Sequence, residues 1–327
     1  VWRPDDESDS PTARSSGFIG LASLPSSMWE FDGPDPGVWE RASVPVSETL
    51  YDVCDSANGP VVVGSDGVVL GRNREQWGVV LEDGPAARGR TLHTVAATAD
   101  GRRVWFAGAD GALGSVDLAT GDRNDCSRPQ DAEGTFDALC VAGARGEEKL
   151  LVADGSGNVH AGVVTDDEVD WDRPTTPSGG TAVAALAADG PFGYGVDGDG
   201  DVWRTTADGW ERIGIDDTDG TLTSVAARAD RLLVGGSDGR VYAHDDEGWV
   251  PFDLGGATVR SVDFRGPESL AGGDSALLSV GRDGDWASVE VGGDAAVRGV
   301  ALTEPAVAVG SGGVLLERTS SGPKGPD

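Results

Sequence analysis

Apolar and polar positions along the chain repeat one phrase seven times between Leu50 and Val314. It runs as an apolar anchor, two residues, a second apolar residue, a small residue, and then an apolar run that breaks at a Gly/Asp turn. The anchors are Leu50, Leu92, Phe136, Val183, Leu222, Val259 and Val297, spaced by 42, 44, 47, 39, 37 and 38 residues. The anchor segment predicts one strand. The apolar run predicts a second, over 61–63, 104–106, 150–152, 193–196, 232–234, 270–271 and 306–309. The turns at 64–67, 108–111, 155–157, 198–200, 236–239, 272–275 and 310–313 carry Gly, Asp and Ser, which tolerate positive φ and so close tight hairpins. A third strand follows each turn, as at 68–70, 202–204 and 241–243, and Trp77, Trp171, Trp210, Trp249 and Trp286 mark a fourth. The second repeat lacks this Trp and carries Asp117, Leu118, Ala119, Thr120 and Gly121 instead. A period of about 40 residues with four short strands per unit predicts an all-β, seven-bladed β-propeller.

The seventh repeat stops after its third strand. Before the first stands Val38-Trp39-Glu40-Arg41, close in character to Trp210-Glu211-Arg212. Pairing this N-terminal strand with the last three completes the last blade, hides strand edges and closes the ring. The expected division is therefore a tail and wrapping segment over 1–36, a propeller over 37–317 and a flexible end over 318–327. Residues 18–24 have the character to add one short strand. The chain starts at Val1, which leaves a removed leader open.

Charge changes the picture of the environment. The chain has 56 acidic residues against 25 basic ones, a net charge of −31, and of the basic residues only Lys149 and Lys324 are lysines. Such a charge self-repels in dilute buffer and is tolerated where counter-ions screen it, the Debye length shrinking to about 3 Å at 1 M salt. The composition resembles that of salt-in halophilic archaea, which implies a high-salt cytoplasm. Without a basic run to neutralise phosphates, nucleic acid is not an expected partner. No stretch approaches the length of a membrane span. Cys54 and Cys140 share one repeat position, where other copies carry Ala96, Ala187, Ala226 and Ala301, so they are expected as small core residues. Cys126 has no partner at zinc-site spacing.

One copy carries a further resemblance. Gly200-Asp201-Val202-Trp203-Arg204-Thr205-Thr206-Ala207-Asp208-Gly209-Trp210 resembles the Asp-box, or BNR, repeat of sialidase-type and photosystem II assembly-factor-like propellers. Gly239-Arg240-Val241-Tyr242 with the stretch from Asp245 to Trp249 is a shorter echo. The resemblance implies the propeller fold, and propellers of this kind serve mostly as rigid platforms, with enzymes a minority.

Candidate chemistry concentrates in one slot, the residue after each anchor: Tyr51, His93, Asp137, Ala184, Thr223, Arg260 and Arg298. It is the most polar and varied position of the repeat, and it is expected at the mouth of the central channel. Tyr51, His93, Asp137, Thr223, Arg260 and Arg298 are the candidate binding residues, and Arg260 with Arg298 suits a carboxylate. Sialidase-like hydrolysis, which the resemblance makes the alternative, needs a Tyr nucleophile with a Glu partner and three arginines; no third arginine occupies the slot. No catalytic set is assigned. Asp197-Gly198-Asp199-Gly200-Asp201 has a calcium-loop look, but Val202 stands where the sharp-turn Gly belongs, and a hairpin turn explains it better. His160 and His244 follow third strands of different blades and are expected at the surface. These readings converge on a non-catalytic, monomeric ring without cofactor or metal. Its expected partner is another protein, held by the slot residues and the long loops at 81–90, 120–134 and 173–180.

Overall fold

A computed structural model describes residues 35–319, except 75, 87, 216, 217, 219, 246, 290 and 292–294. The strand expected at 18–24, most of the expected N-terminal tail and residues 320–327 lie outside the described residues. Within them the strands form seven four-stranded antiparallel sheets. Six are meanders of consecutive strands. Blade 4, for example, runs through Val183–Asp189, Phe192–Asp197, Val202–Thr206 and Gly209–Arg212. The seventh joins Val297–Ala301, Val307–Gly310 and Val314–Thr319 to the N-terminal strand Val38–Arg41.

The closing pair is antiparallel, with Val38 opposite Thr319 and Arg41 opposite Leu316. Ala42 continues it by donating its N–H to the Leu315 carbonyl at 2.9 Å. Trp39 packs against the cluster between blades 6 and 7, the place that other blades give to their fourth-strand Trp. Blade 1 holds the closure from the other side: Glu317 accepts from Arg72 Nε at 2.7 Å and from Trp77 Nε1 at 2.8 Å. In the second blade Asp117 ends the third strand and its carboxylate accepts from the N–H groups of Ala119 and Thr120. That turn delays the fourth strand to Arg123–Asp125.

The second strands read as continuous apolar runs because each blade is covered on both faces. Val62 packs with Leu50 and Leu70 toward Val307, Val309 and Leu315 of blade 7, while Val61 and Val63 pack toward Leu92, Val104 and Phe106 of blade 2. The core is thus a ring of interfaces between blades. The inner strands line the axis: Leu50–Cys54, Leu92–Ala97, Phe136–Ala142, Val183–Asp189, Leu222–Arg228, Val259–Arg265 and Val297–Ala301, each against the next and the last against the first.

Strands that converge on an axis have room only for small side chains. Of the two cysteines expected in the core, Cys140 is buried, whereas Cys54, in the same slot, is only partly buried, against the interface between blades 1 and 2. Burial pushes the Cys140 thiol up to about 12 and holds Cys54 well above the usual thiol range, so both stay neutral. On the inner strand of blade 7 stands Gly299, where a Cβ would lie 2.9 Å from Asp52 Cα and 3.2 Å from the Tyr51 carbonyl.

Candidate functional site

The residue after each anchor owes its position to a β-bulge. Leu50 lies opposite Gly64 and Asp52 opposite Val63, so Tyr51 is an extra residue in the ladder. The same shift falls between anchor and second-next residue in all seven blades. A bulge releases one side chain from the two faces of the sheet and re-aims it. Here it turns seven of them to one end of a central channel of about 790 Å³, called the upper mouth below.

A second constant feature completes the mouth. The residue that follows each second strand donates its N–H to the carbonyl just before the anchor, as in Ser65 to Thr49 at 2.9 Å, Asp274 to Thr258 at 3.0 Å and Ser311 to Ala296 at 3.3 Å. This bond sets the hairpin residue beside the bulge. Asp274 and Ser311 thereby reach the mouth, although the anchor pattern alone did not single them out. Their signal is the place directly after the Gly that faces the anchor, Gly273 and Gly310.

Four of the expected residues form a connected arc, with a fifth, Arg260, paired separately beside it. Asp137 Oδ1 lies 3.2 Å from His93 Nδ1. The His93 ring stacks at a tilt on Tyr51 with centroids 5.2 Å apart. Arg298 lies over the Tyr51 ring at 5.1 Å and donates from Nε to Ser311 Oγ at 3.2 Å. Arg260 makes a two-point pair with Asp274, at 2.5 and 2.8 Å. That pair holds the Asp274 carboxyl below the usual range, the Arg260 hydrogen bonds first and the charges of Arg260 and Arg298 after them. The arc runs from blade 7 through blades 1 and 2 to blade 3, with the Arg260–Asp274 pair of blade 6 within the field of Arg298. Thr223 does not join it: its hydroxyl lies against the carbonyls of Gly235 and Val259. Ala184 leaves blade 4 bare.

Of the remaining sequence expectations, one is corrected. His160 is not at the surface but 4 % exposed, edge-on to Phe136 at 5.8 Å, with Nδ1 3.3 Å from Gln130 Oε1. Burial lowers its pKa, with the nearby Asp154 opposing. The cause is the long loop at 120–134, which folds Gln130 down over the imidazole and anchors there through Nε2 to the Asp172 carbonyl at 2.9 Å. His244 is half-buried against Trp249 at 4.7 Å. Asp197 is fully buried, and its carboxylate accepts from the N–H groups of Asp199 and Asp201 at 3.0 Å and from Trp203 Nε1 at 2.8 Å, so the loop's apparent ligand organises its own turn. Among the described residues no group of three His, Cys, Asp or Glu side chains has metal-site geometry. A smaller crevice of about 380 Å³ lies over Arg265, Arg282 and Arg318, with Glu268 paired to Arg318. Among the described residues no helix is long and apolar enough to cross a membrane.

No family model matches the chain, and no curated protein matches it in sequence. Solved structures do match in fold. YCF48 bound to D1 peptide superposes with a TM-score of 0.66 at 13% identity, covering 89% of this chain and 100% of that one. The WD40 β-propeller domain of Doa1 gives 0.67 at 12%, covering 87% and 98%. YCF48 from Cyanidioschyzon merolae gives 0.64 at 15%, covering 86% and 98%. At these identities the likeness is one of fold.

Proposed function

We propose that this propeller is a non-catalytic platform that binds another protein at its upper mouth, acting as a monomeric ring in a salt-rich cytoplasm. The observation that carries the reading is the bulged ring. Seven identical backbone devices present side chains of six kinds, and four of these touch one another across blade boundaries. A repeat that keeps its backbone constant and varies only what it displays suits recognition. A structural neighbour of the same fold has been solved with a peptide bound, which supports the reading by analogy.

The hydrolase alternative finds less support in the geometry. Among the described residues Tyr51 has Arg298 on its ring and His93 beside it, with no carboxylate partner to make it a nucleophile. The other two tyrosines, Tyr194 and Tyr242, are buried in their blades.

Affinity capture from the native source at high salt tests the platform. A stoichiometric protein retained by the native chain and lost with a His93→Ala/Arg298→Ala variant is the expected result. No such partner, together with glycosidase activity that disappears on Arg260→Ala or Arg298→Ala, overturns it. The salt-rich setting makes a separate prediction: the melting temperature climbs steeply from low salt to molar KCl as screening relieves the −31 charge. A flat profile removes that part of the proposal.

A further inference from the structure

At the upper mouth three side chains are oriented by neighbours and yet have polar ends left over. Arg298 is fixed twice, its Nε on Ser311 Oγ and its guanidinium plane over Tyr51, which leaves both terminal nitrogens without a hydrogen bond among the described residues. Tyr51 is held between Arg298 and His93, and its hydroxyl has no partner among the described residues. His93 is held through Nδ1 by Asp137, and its Nε2 is likewise unspent. Arg260 differs, since Asp274 already occupies two of its donors. Side chains held in place before a ligand arrives lose little entropy on binding it, and a guanidinium with both terminal nitrogens open is built for two parallel bonds to a planar anion.

We infer that Arg298, Tyr51 and His93 form a receptor for a single carboxylate. The inference rests on the platform reading and names the chemistry by which the partner is seized. Arg298 grips the two oxygens, the Tyr51 hydroxyl donates to one of them, and the His93 edge bounds the site on the far side. Charge selects a monoanion. Asp137 lies on one flank and Asp274, within the field of Arg298, on the other, so a phosphate dianion meets two carboxylates where a carboxylate adds one charge beside an arginine. The carboxylate belongs either to an acidic side chain or to a chain terminus of the partner.

The test uses the full chain, isotopically labelled, at constant ionic strength in KCl, with chloride replaced stepwise by acetate, by N-acetylglycine, by N-acetylglutamate α-amide and, separately, by inorganic phosphate. Side-chain NMR signals of Arg298 and His93 are followed, with Arg204, paired to Glu211 on the outer part of blade 4, as internal control. The expected result is a saturable shift of both mouth signals with a half-point of about 1–10 mM for acetate, a range open to a four-atom ligand. Arg298→Gln should weaken it at least tenfold and Tyr51→Phe by less, with Arg204 still. N-acetylglycine binding tighter than the glutamate amide assigns a chain terminus; the reverse assigns an acidic side chain. Shifts that are linear and shared with Arg204, an unchanged half-point in folded Arg298→Gln, or a response to phosphate alone each overturn the inference. A partner captured by the native chain in the absence of any acetate response defeats this inference and leaves the platform standing. An acetate response without a captured partner does the opposite.

Discussion

At the upper end of the channel Arg298, Tyr51, His93 and Asp137 touch side chain to side chain across blades; at the lower end of the same strands such pairs also occur, but there polar groups hold backbone as well. Asp263 accepts from the Leu302 N–H of the next blade at 2.7 Å and from Phe264 N–H at 2.9 Å, with Arg228 3.3 Å away. Arg265 of blade 6 reaches Asp55 of blade 1 at 2.6 Å. The lower loops are also stitched main chain to main chain, Ala57 to Gly101 at 2.9 Å and Ala99 to Gly143 at 2.8 Å. The inner edge of each blade presents N–H groups that no neighbouring strand in the sheet can take, and in a ring they find acceptors on the preceding blade or on an adjacent side chain of their own strand. Between the ends, Asp52 does this for Val95 and Val53, at 2.9 and 2.8 Å, and Ser261 for Val300 at 3.1 Å. Above the bulges the side chains of the arc take no part in this duty among the described residues. The same strand therefore serves stability along most of its length and display at one end.

The largest expected effect lies in the shaft that both ends share. Gly299→Val pushes a branched side chain against the backbone of blade 1 and should cost about 3 kcal/mol in denaturant unfolding, with the ring loosened at its closure. A neutral outcome means the inner strands can separate, and the division between the two ends fails with it. Next comes the lower end: Asp263→Ala leaves two N–H groups without their acceptor and should cost about 2 kcal/mol.

Asp52 sharpens the comparison through pH. It is half-buried on the channel wall but enclosed by protein on its remaining sides, and that desolvation raises its pKa to about 6 against the hydrogen bonds from Val95 and Val53. A carboxyl raised in the folded state favours folding when protonated. Its contribution is complete below about pH 4 and is lost as pH rises through 6, a span worth about 3 kcal/mol. The Asp52 carboxyl carbon should titrate near 6, and the fall in stability from about pH 4 to 6 assigned to it should vanish in Asp52→Asn. A midpoint near 4 places Asp52 with the solvated acids instead. Smallest is the upper mouth, where His93→Ala and Arg298→Ala should each change unfolding free energy by less than about 1 kcal/mol. A loss as large as that of Asp263→Ala makes the arc a structural clasp.

Much of the molecule was legible in the chain. The anchors Leu50 to Val297, the hairpin glycines and the fourth-strand tryptophans mark where strands begin, turn and end, because those are local consequences of burial period and φ. The spare strand around Trp39 announced its own destination by matching Trp210. The slot of Tyr51, His93 and Arg298 could be found as the position whose chemistry changes while its neighbours stay constant.

What no period carried was decided by the closed ring. Bulges depend on a register between two strands, so the aim of Tyr51 is invisible in its own segment. Arg260 and Arg298 share a slot but differ in fate, one bound by Asp274 and the other left open, because the hairpin residue brought beside them is Asp274 in blade 6 and Ser311 in blade 7. His160 holds the register place that Tyr242, not His244, takes in blade 5, and Gln130 of the long loop covers it. Local sequence determined the elements and their order, since helix, strand and turn preferences act over a few residues. Which polar groups meet, and which of them remain unspent, was determined only when seven strands 37 to 47 residues apart converged on one axis.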